Sequence, residues 1–309
     1  MLSLTTFFQE PGCIMVRLCT TFCLLCFSAV IYAQQFSMSL GVYTGLTSTF
    51  TLDDGISNDP RYDAAYEVKF APIGVNFGMD YEGFGFVVSP GIINVGQNFY
   101  VVNTSGGHDG KRKINLQYLN IPAAFKIHII KLSFFKVSGL ISLSAAYLMD
   151  GEETISHNAT KLKFPTEVYP ILPDDYIVEY DGVVVPEVNN YVISSKSDFK
   201  SLQLFAAAGF RSDWDINNHW RLTFDFRLNY GLYEPRTDEY VAKVNSYQTL
   251  YDVPGERRDL FPQLSLGICR YIDIEKSDHE RKKKLKGSSK GYKPAKYPYP
   301  KPRTTKPKG

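Results

Sequence analysis

The clearest pattern in the chain lies at His219–Leu232, HWRLTFDFRLNYGL, where two sequences interleave. Trp220, Leu222, Phe224, Phe226, Leu228, Tyr230 and Leu232 are large and apolar, and the residues between them, Arg221, Thr223, Asp225, Arg227, Asn229 and Gly231, are polar or small. A period of two belongs to an extended strand, whose successive side chains point to opposite faces. One face carries Arg, Asp and Arg and needs water; the other carries no charge and suits hydrocarbon. At about 3.3 Å per residue the run exceeds the roughly 9–11 tilted residues of a transmembrane strand. Trp220 and Tyr230 fall where interfacial aromatic girdles lie.

The same alternation recurs along the chain. It predicts strands over Phe36–Leu46, Ala65–Met79, Phe84–Val101, Lys113–Ile129, Phe135–Tyr147, Leu202–Trp214 and Leu260–Ile272. In Ala65–Met79 the apolar phase shifts at Ala71-Pro72, which predicts a bulge; Pro90-Gly91 interrupts the next run. With the opening stretch these make eight strands. Their connections read long, short, long, very short, very long, short, long, the rhythm of an outer-membrane barrel with short periplasmic turns and longer external loops. The expected fold is therefore all-β: an eight-stranded antiparallel up-and-down transmembrane β-barrel with long extracellular loops. Its rival is a soluble, lipocalin-like barrel with an apolar interior and the Arg-Asp-Arg face in solvent.

A resemblance supports the membrane reading. Tyr118-Leu119-Asn120-Ile121-Pro122-Ala123-Ala124-Phe125-Lys126 resembles the Tyr-Leu-x-Ile-Pro-x-x-x-Lys signature of a Bacteroidetes outer-membrane β-barrel family, the porin-family proteins with PorT-type members. The resemblance covers roughly residues 36–273 and implies fold and location rather than an activity. The long fifth connection and a basic tail depart from the compact members.

The ends of the chain change the picture. Leu18–Ile31, after Arg17 and before Ala33, reads as a secretory leader: residues 1–33 are expected to be a signal peptide, with Met15 an alternative start. The barrel then occupies 34–273. Four of the five cysteines fall in the leader region, so Cys269 alone is left and no disulfide or cysteine metal site is expected. The tail, 274–309, has thirteen Lys or Arg against three acids, a net of +10 in a chain of net +2. With its Lys-Pro steps it reads as disordered. Arg281, Lys282, Lys283, Lys284 and Lys286 are its densest charges. They suit the cell wall or an acidic periplasmic partner, and the leader argues against nucleic acid.

Two groups of side chains are candidate sites. Glu67, Lys69, Lys126, Arg211, Arg221, Asp225 and Arg227 are expected to face the lumen, where eight strands leave room for side chains and little more. The loop Asp150–Asp198 holds ten acids against three lysines, and its segment Tyr176–Val185 predicts a hairpin. Glu152, Glu153, Asp174, Asp175, Glu179, Asp181 and Glu187 are its binding candidates, for an extracellular ligand or protein. Their spacing matches no calcium loop, and no cofactor is implied. Binding or envelope assembly through the loops is the expected role. The alternatives are a lipid-modifying enzyme, for which Ser156 beside His157 is the nearest pair, and a small ion-conducting pore.

Overall fold

The computed structural model describes residues 36–217 and 219–274. The leader and the tail, with Arg281, Lys282, Lys283, Lys284 and Lys286, lie outside the described residues. Strand β1 (Phe36–Thr47) leads into a crossing made of β2 (Phe50–Asp53), helix α1 (Asp54–Asn58) and β3 (Tyr62–Ala65), and then into β4 (Ile73–Asp80). The next run is broken into β5 (Phe84–Val88), β6 (Gly91–Val95) and β7 (Asn98–Val102). Two long strands follow, β8 (His108–Lys131) and β9 (Phe135–His157). An excursion then builds β10 (Thr160–Leu162), a 3-10 turn, β11 (Ile177–Glu179), β12 (Gly182–Val185) and β13 (Val188–Ser195). The described residues end with β14 (Leu202–Asp215), β15 (Trp220–Gly231), helix α2 (Asp238–Asn245) and β16 (Arg257–Ile274).

The wall runs β1, β4, the broken run β5–β6, β8, β9, β14, β15, β16 and back to β1, which makes the expected eight positions in a closed cylinder. Closure matters because hydrocarbon cannot satisfy an open sheet edge. At the β16–β1 seam the backbones come too close for side chains. A Cβ on Gly41 would stand 2.1 Å from the Ile268 carbonyl oxygen, and one on Gly45 equally near that of Leu264. This accounts for the glycines of the first strand.

The cylinder is inside out relative to a soluble protein. Leu40, Val42, Val75, Phe77, Leu119, Ile121, Ile141, Leu143, Leu266 and Ile268 stand exposed around its outer wall. Ser39, Asn76, Asn120, Ser144, Thr223, Asn229 and Ser265 are buried inside it. Such a belt suits lipid, and the lipocalin-like rival requires the opposite arrangement. Trp214, Trp220, Phe134 and Phe135 border the belt at the end of the short turns; Tyr147, Tyr230 and Tyr233 border it at the loop end.

Three expectations need correction. Ala65–Met79 is not one strand: β3 pairs with β7 above the wall, and only β4 belongs to the cylinder. The Ala71–Pro72 peptide, where the phase shift falls, is cis. Strand β9 does not stop near Tyr147 but continues to His157, so the first part of the supposed loop Asp150–Asp198 is wall. The ladder between β8 and β9 also slips there: Tyr118 faces Leu148 and Gln117 faces Asp150, leaving Met149 as an extra residue. A bulge of one residue exchanges inward and outward positions. Below it Ser144, Ala146 and Leu148 point in; above it Gly151, Glu153, Ile155 and His157 do.

Candidate functional site

Inside the wall the side chains form layers. Nearest the short turns is a ladder of alternating charges. Arg221 binds Asp215 (Nε to Oδ1, 2.6 Å) and Asp80 (Nη1 to Oδ2, 2.9 Å). Asp80 receives Lys126 at 2.6 Å, and Lys126 reaches Asp213 at 3.4 Å. Arg211 donates from Nε to Asp213 at 2.8 Å and lies 3.7 Å from Asp225. Arg227 closes the series with two bonds to Asp225, at 2.8 and 2.6 Å. Along these pairs four carboxylates alternate with four cations, so each charge has a partner of opposite sign. Buried charges persist only when paired in this way.

Five of the seven predicted lumen residues, Lys126, Arg211, Arg221, Asp225 and Arg227, meet in this ladder. Glu67 and Lys69 do not. Glu67 is exposed and accepts from Asn98 at 2.7 Å, while Lys69 is half-buried and bridges its backbone to Thr47 at the loop end. The cause is the broken second strand, which turns residues 66–72 out of the wall. The missed partners, Asp80, Asp213 and Asp215, lie at strand ends that read as turns from sequence.

Above the ladder three aromatic rings cross the lumen. Tyr118, Phe205 and Phe261, from β8, β14 and β16, are all buried, with ring centroids 6.0 Å (Tyr118–Phe205) and 5.3 Å (Phe205–Phe261) apart and nearly perpendicular. Over them lies a second ionic network that sequence reasoning missed. Arg112 donates from Nε to Glu153 at 2.5 Å, pairs with Asp252, and gives Nη1 to the Tyr251 carbonyl at 2.8 Å. Arg257 binds the other Glu153 oxygen at 3.0 Å and Asp53 at 2.6 Å. Arg236 holds Glu234 at 2.8 Å, and Tyr240 donates to Asp252 at 2.6 Å. Burial alone would raise the Asp252 pKa, but the Arg112 and Arg257 guanidiniums hold it well below the usual carboxylate range.

Glu153 therefore corrects the binding-loop reading: it is fully buried between two arginines and is not an exposed loop acid. The other six loop candidates, Glu152, Asp174, Asp175, Glu179, Asp181 and Glu187, are exposed. The expected hairpin forms as β11 and β12. Lys161 from β10 holds Glu179 at 2.6 Å and Asp181 at 2.9 Å. These acids are not gathered as ligands: no group of three His, Cys, Asp or Glu able to hold a metal occurs among the described residues.

The loops close the mouth as one cored cap. Leu162, Phe164, Val168, Val183 and Val185 of the long excursion and Tyr251 of the last loop join Ile56, Tyr62, Ile114, Ile155 and the lumen aromatics in a single buried apolar cluster. Arg61 stacks over Phe164 (4.4 Å) and binds Asp59 at 2.6 Å. His157 joins two loops: its Nδ1 lies 2.9 Å from the Asn158 carbonyl, its Nε2 3.3 Å from the Tyr251 hydroxyl, which meets Tyr176 at 2.9 Å. Ser156, the preceding residue on the strand, is half-exposed and bonds Asn190 instead, so the two side chains form no dyad.

A pH dependence follows. Burial lowers the His157 pKa from 6.5, against the smaller opposing effect of the Asn158 carbonyl. The unfolded cap then takes up a proton near the ordinary value, and the folded cap only at lower pH. His157's contribution is complete above the ordinary histidine range and falls as pH drops through it toward the lower folded value. Protection of the amides in 158–165 and 250–252, taken relative to the intrinsic exchange rate at each pH, should fall between pH 7 and pH 5, and His157→Gln should flatten that change.

The sequence over residues 32–234 matches the model of the outer membrane protein beta-barrel domain. The chain belongs to that family. The barrel accordingly lies in the outer membrane, as its belt requires. Solved structures similar to it include the outer membrane protein OprG from Pseudomonas aeruginosa (10% identity, covering 79% of this chain and 97% of that one, TM-score 0.35). Others are Ail, the attachment invasion locus protein of Yersinia pestis (12%, 78% and 99%, TM-score 0.29), and the outer membrane protease OmpT from Escherichia coli (6%, 78% and 98%, TM-score 0.33). At such scores none of them bears on what this barrel binds or does. No curated protein matches the barrel in sequence.

Proposed function

We propose that the barrel is a surface-exposed binding protein that works through its cap, with no catalytic step and no conduction. The observation that carries this reading is the cap itself: the loops share one apolar core over the mouth, and β10, β12 and β11 form a sheet of their own. Loops of this length, when ordered, usually serve recognition. The short turns belong on the periplasmic side, so the cap faces outward. On it the hairpin presents Ile177, Val178 and Tyr180 fully or largely exposed among Asp174, Asp175, Glu179 and Asp181. Exposed apolar side chains on an ordered edge strand suit contact with a partner. The last described strand, β16, runs toward the end of the short turns, and we read the basic sequence that follows it as a tether to cell wall or an acidic partner.

Two measurements test the reading. The purified barrel in planar bilayers should give no stable conductance steps, because the ladder, the aromatic rings and the upper network cross the lumen in succession. Steps would favour the pore. Crosslinking on intact cells should trap a partner that is lost in an Ile177→Ser, Tyr180→Ser variant. Equal trapping would remove the hairpin from the reading, and turnover of a lipid substrate would favour the enzyme.

A further inference from the structure

Above the membrane, β3, β7, β8, β9 and β13 continue side by side as a sheet. One face, with Arg112, Glu153 and Ile155, is buried beneath the cap. The other curls into a trough of about 500 Å³, within the usual range for ligand sites. Its near wall is a stacked ring pair: Tyr100 and His108 lie with centroids 4.5 Å apart and planes within 3°, and the Lys111 ammonium stands over the Tyr100 ring at 5.8 Å. Its floor follows the register Tyr100–Lys111–Ser156, with Lys113 and Thr154 in the neighbouring row. Its far wall is the stretch 187–190, fixed by the Asn190 amide donating to the Ser156 hydroxyl at 2.9 Å. Asn190 takes a φ of 50°, a left-handed conformation that asparagine tolerates better than most residues.

The lining decides the ligand class. Lys111 and Lys113 are balanced by Asp109 and Glu187, so the trough has no net charge to draw a phosphate or a cation. Asp109 is already committed, accepting from Thr160 and from Asn103 at 2.7 Å. What remains is a row of amides and hydroxyls, Thr154, Ser156, Asn158, Asn189 and Asn190, facing a flat aromatic pair. Ser156 and Asn190 are paired with each other, but a fatty chain would leave the side chains of Thr154, Asn158 and Asn189 without partners, at a cost for each. An aromatic face suits an apolar ring surface, and the amides suit hydroxyls at a ring's edge.

From this lining we infer that the trough is a carbohydrate site taking a short, neutral oligosaccharide, one ring lying against the stacked Tyr100–His108 pair and its hydroxyls meeting Thr154, Asn158 and Asn189. The inference deepens the reading of the cap as a binding surface and rests on it.

The test uses the full chain, purified in a detergent without a sugar headgroup, on a glycan array. The wild type should retain at least one neutral saccharide. Tyr100→Ala should weaken that binding tenfold or more, and Lys113→Ala by less, since Tyr100 lies on the solvent face and both variants should keep wild-type heat-shifted gel migration. The Ile177→Ser, Tyr180→Ser variant should bind the sugar as the wild type does. No retained saccharide, retention of anionic glycans only, or equal retention by Tyr100→Ala would overturn the inference. If no sugar is retained while partner crosslinking on cells persists, the carbohydrate site fails and the binding role of the cap stands.

Discussion

Glu153→Ala is expected to destabilise the barrel by about 3 kcal/mol or more, while Glu152→Ala, one residue away, should change it by less than about 0.5 kcal/mol. Glu153 divides its two oxygens between Arg112 and Arg257, all three fully buried. Removing it leaves two desolvated guanidiniums facing each other with only Asp252 and Asp53 to share. Glu152 is exposed opposite Asn115 and Ser195 on the outer face and gives up nothing buried. Urea unfolding of the detergent-folded barrel would measure both, and limited proteolysis should show the Glu153 variant cut first within the cap. Equal effects of the two substitutions would mean that the inward turn of Glu153 is wrong.

Lys126→Ala is the second large effect. Among the described residues Lys126 is the one cation that pairs with both Asp80 and Asp213. Its loss leaves two carboxylates near one another in a closed space, each with one arginine remaining. Breaking a buried pair from one side typically costs about 3–5 kcal/mol. The temperature at which the folded band converts to the unfolded one on a gel should fall clearly. Lys131→Ala, near the same turn but exposed, should leave it unchanged. Because the ladder alternates in sign, raising salt should not rescue the variant, since buried pairs are poorly screened.

The wall was legible because each lipid-facing strand must be apolar on alternate residues, and that constraint is written locally. Part of the lumen was legible for the same reason: Arg221, Asp225 and Arg227 share one parity on the polar face of β15. The other three acids of the ladder were not, since Asp80, Asp213 and Asp215 also suit turns, and turn composition is the stronger local signal. Glu153 was misread because a single extra residue at Met149 reverses the parity above it, and nothing in the composition of 145–157 marks the bulge. The upper network joins Asp53, Arg112, Glu153, Arg236, Asp252 and Arg257 from four separate stretches, a meeting that no periodicity encodes. One signal was there to be followed: Arg112 keeps the parity of Tyr118 and Lys126 on the same strand, and so had to point inward.

The charge ladder has a mechanical consequence. Hydrogen bonds along the wall join each stave only to its two neighbours and resist sliding, but a ring of hinged staves can still flatten into an oval. Asp80, Lys126 and Asp213 belong to staves that are not adjacent, β4, β8 and β14, and their bonds cross the interior like the spokes of a wheel. The ladder thus sets the roundness of the cylinder against the sideways pressure of the surrounding lipid. A variant with its spokes removed should keep its strand pairing and yet lose its circular cross-section.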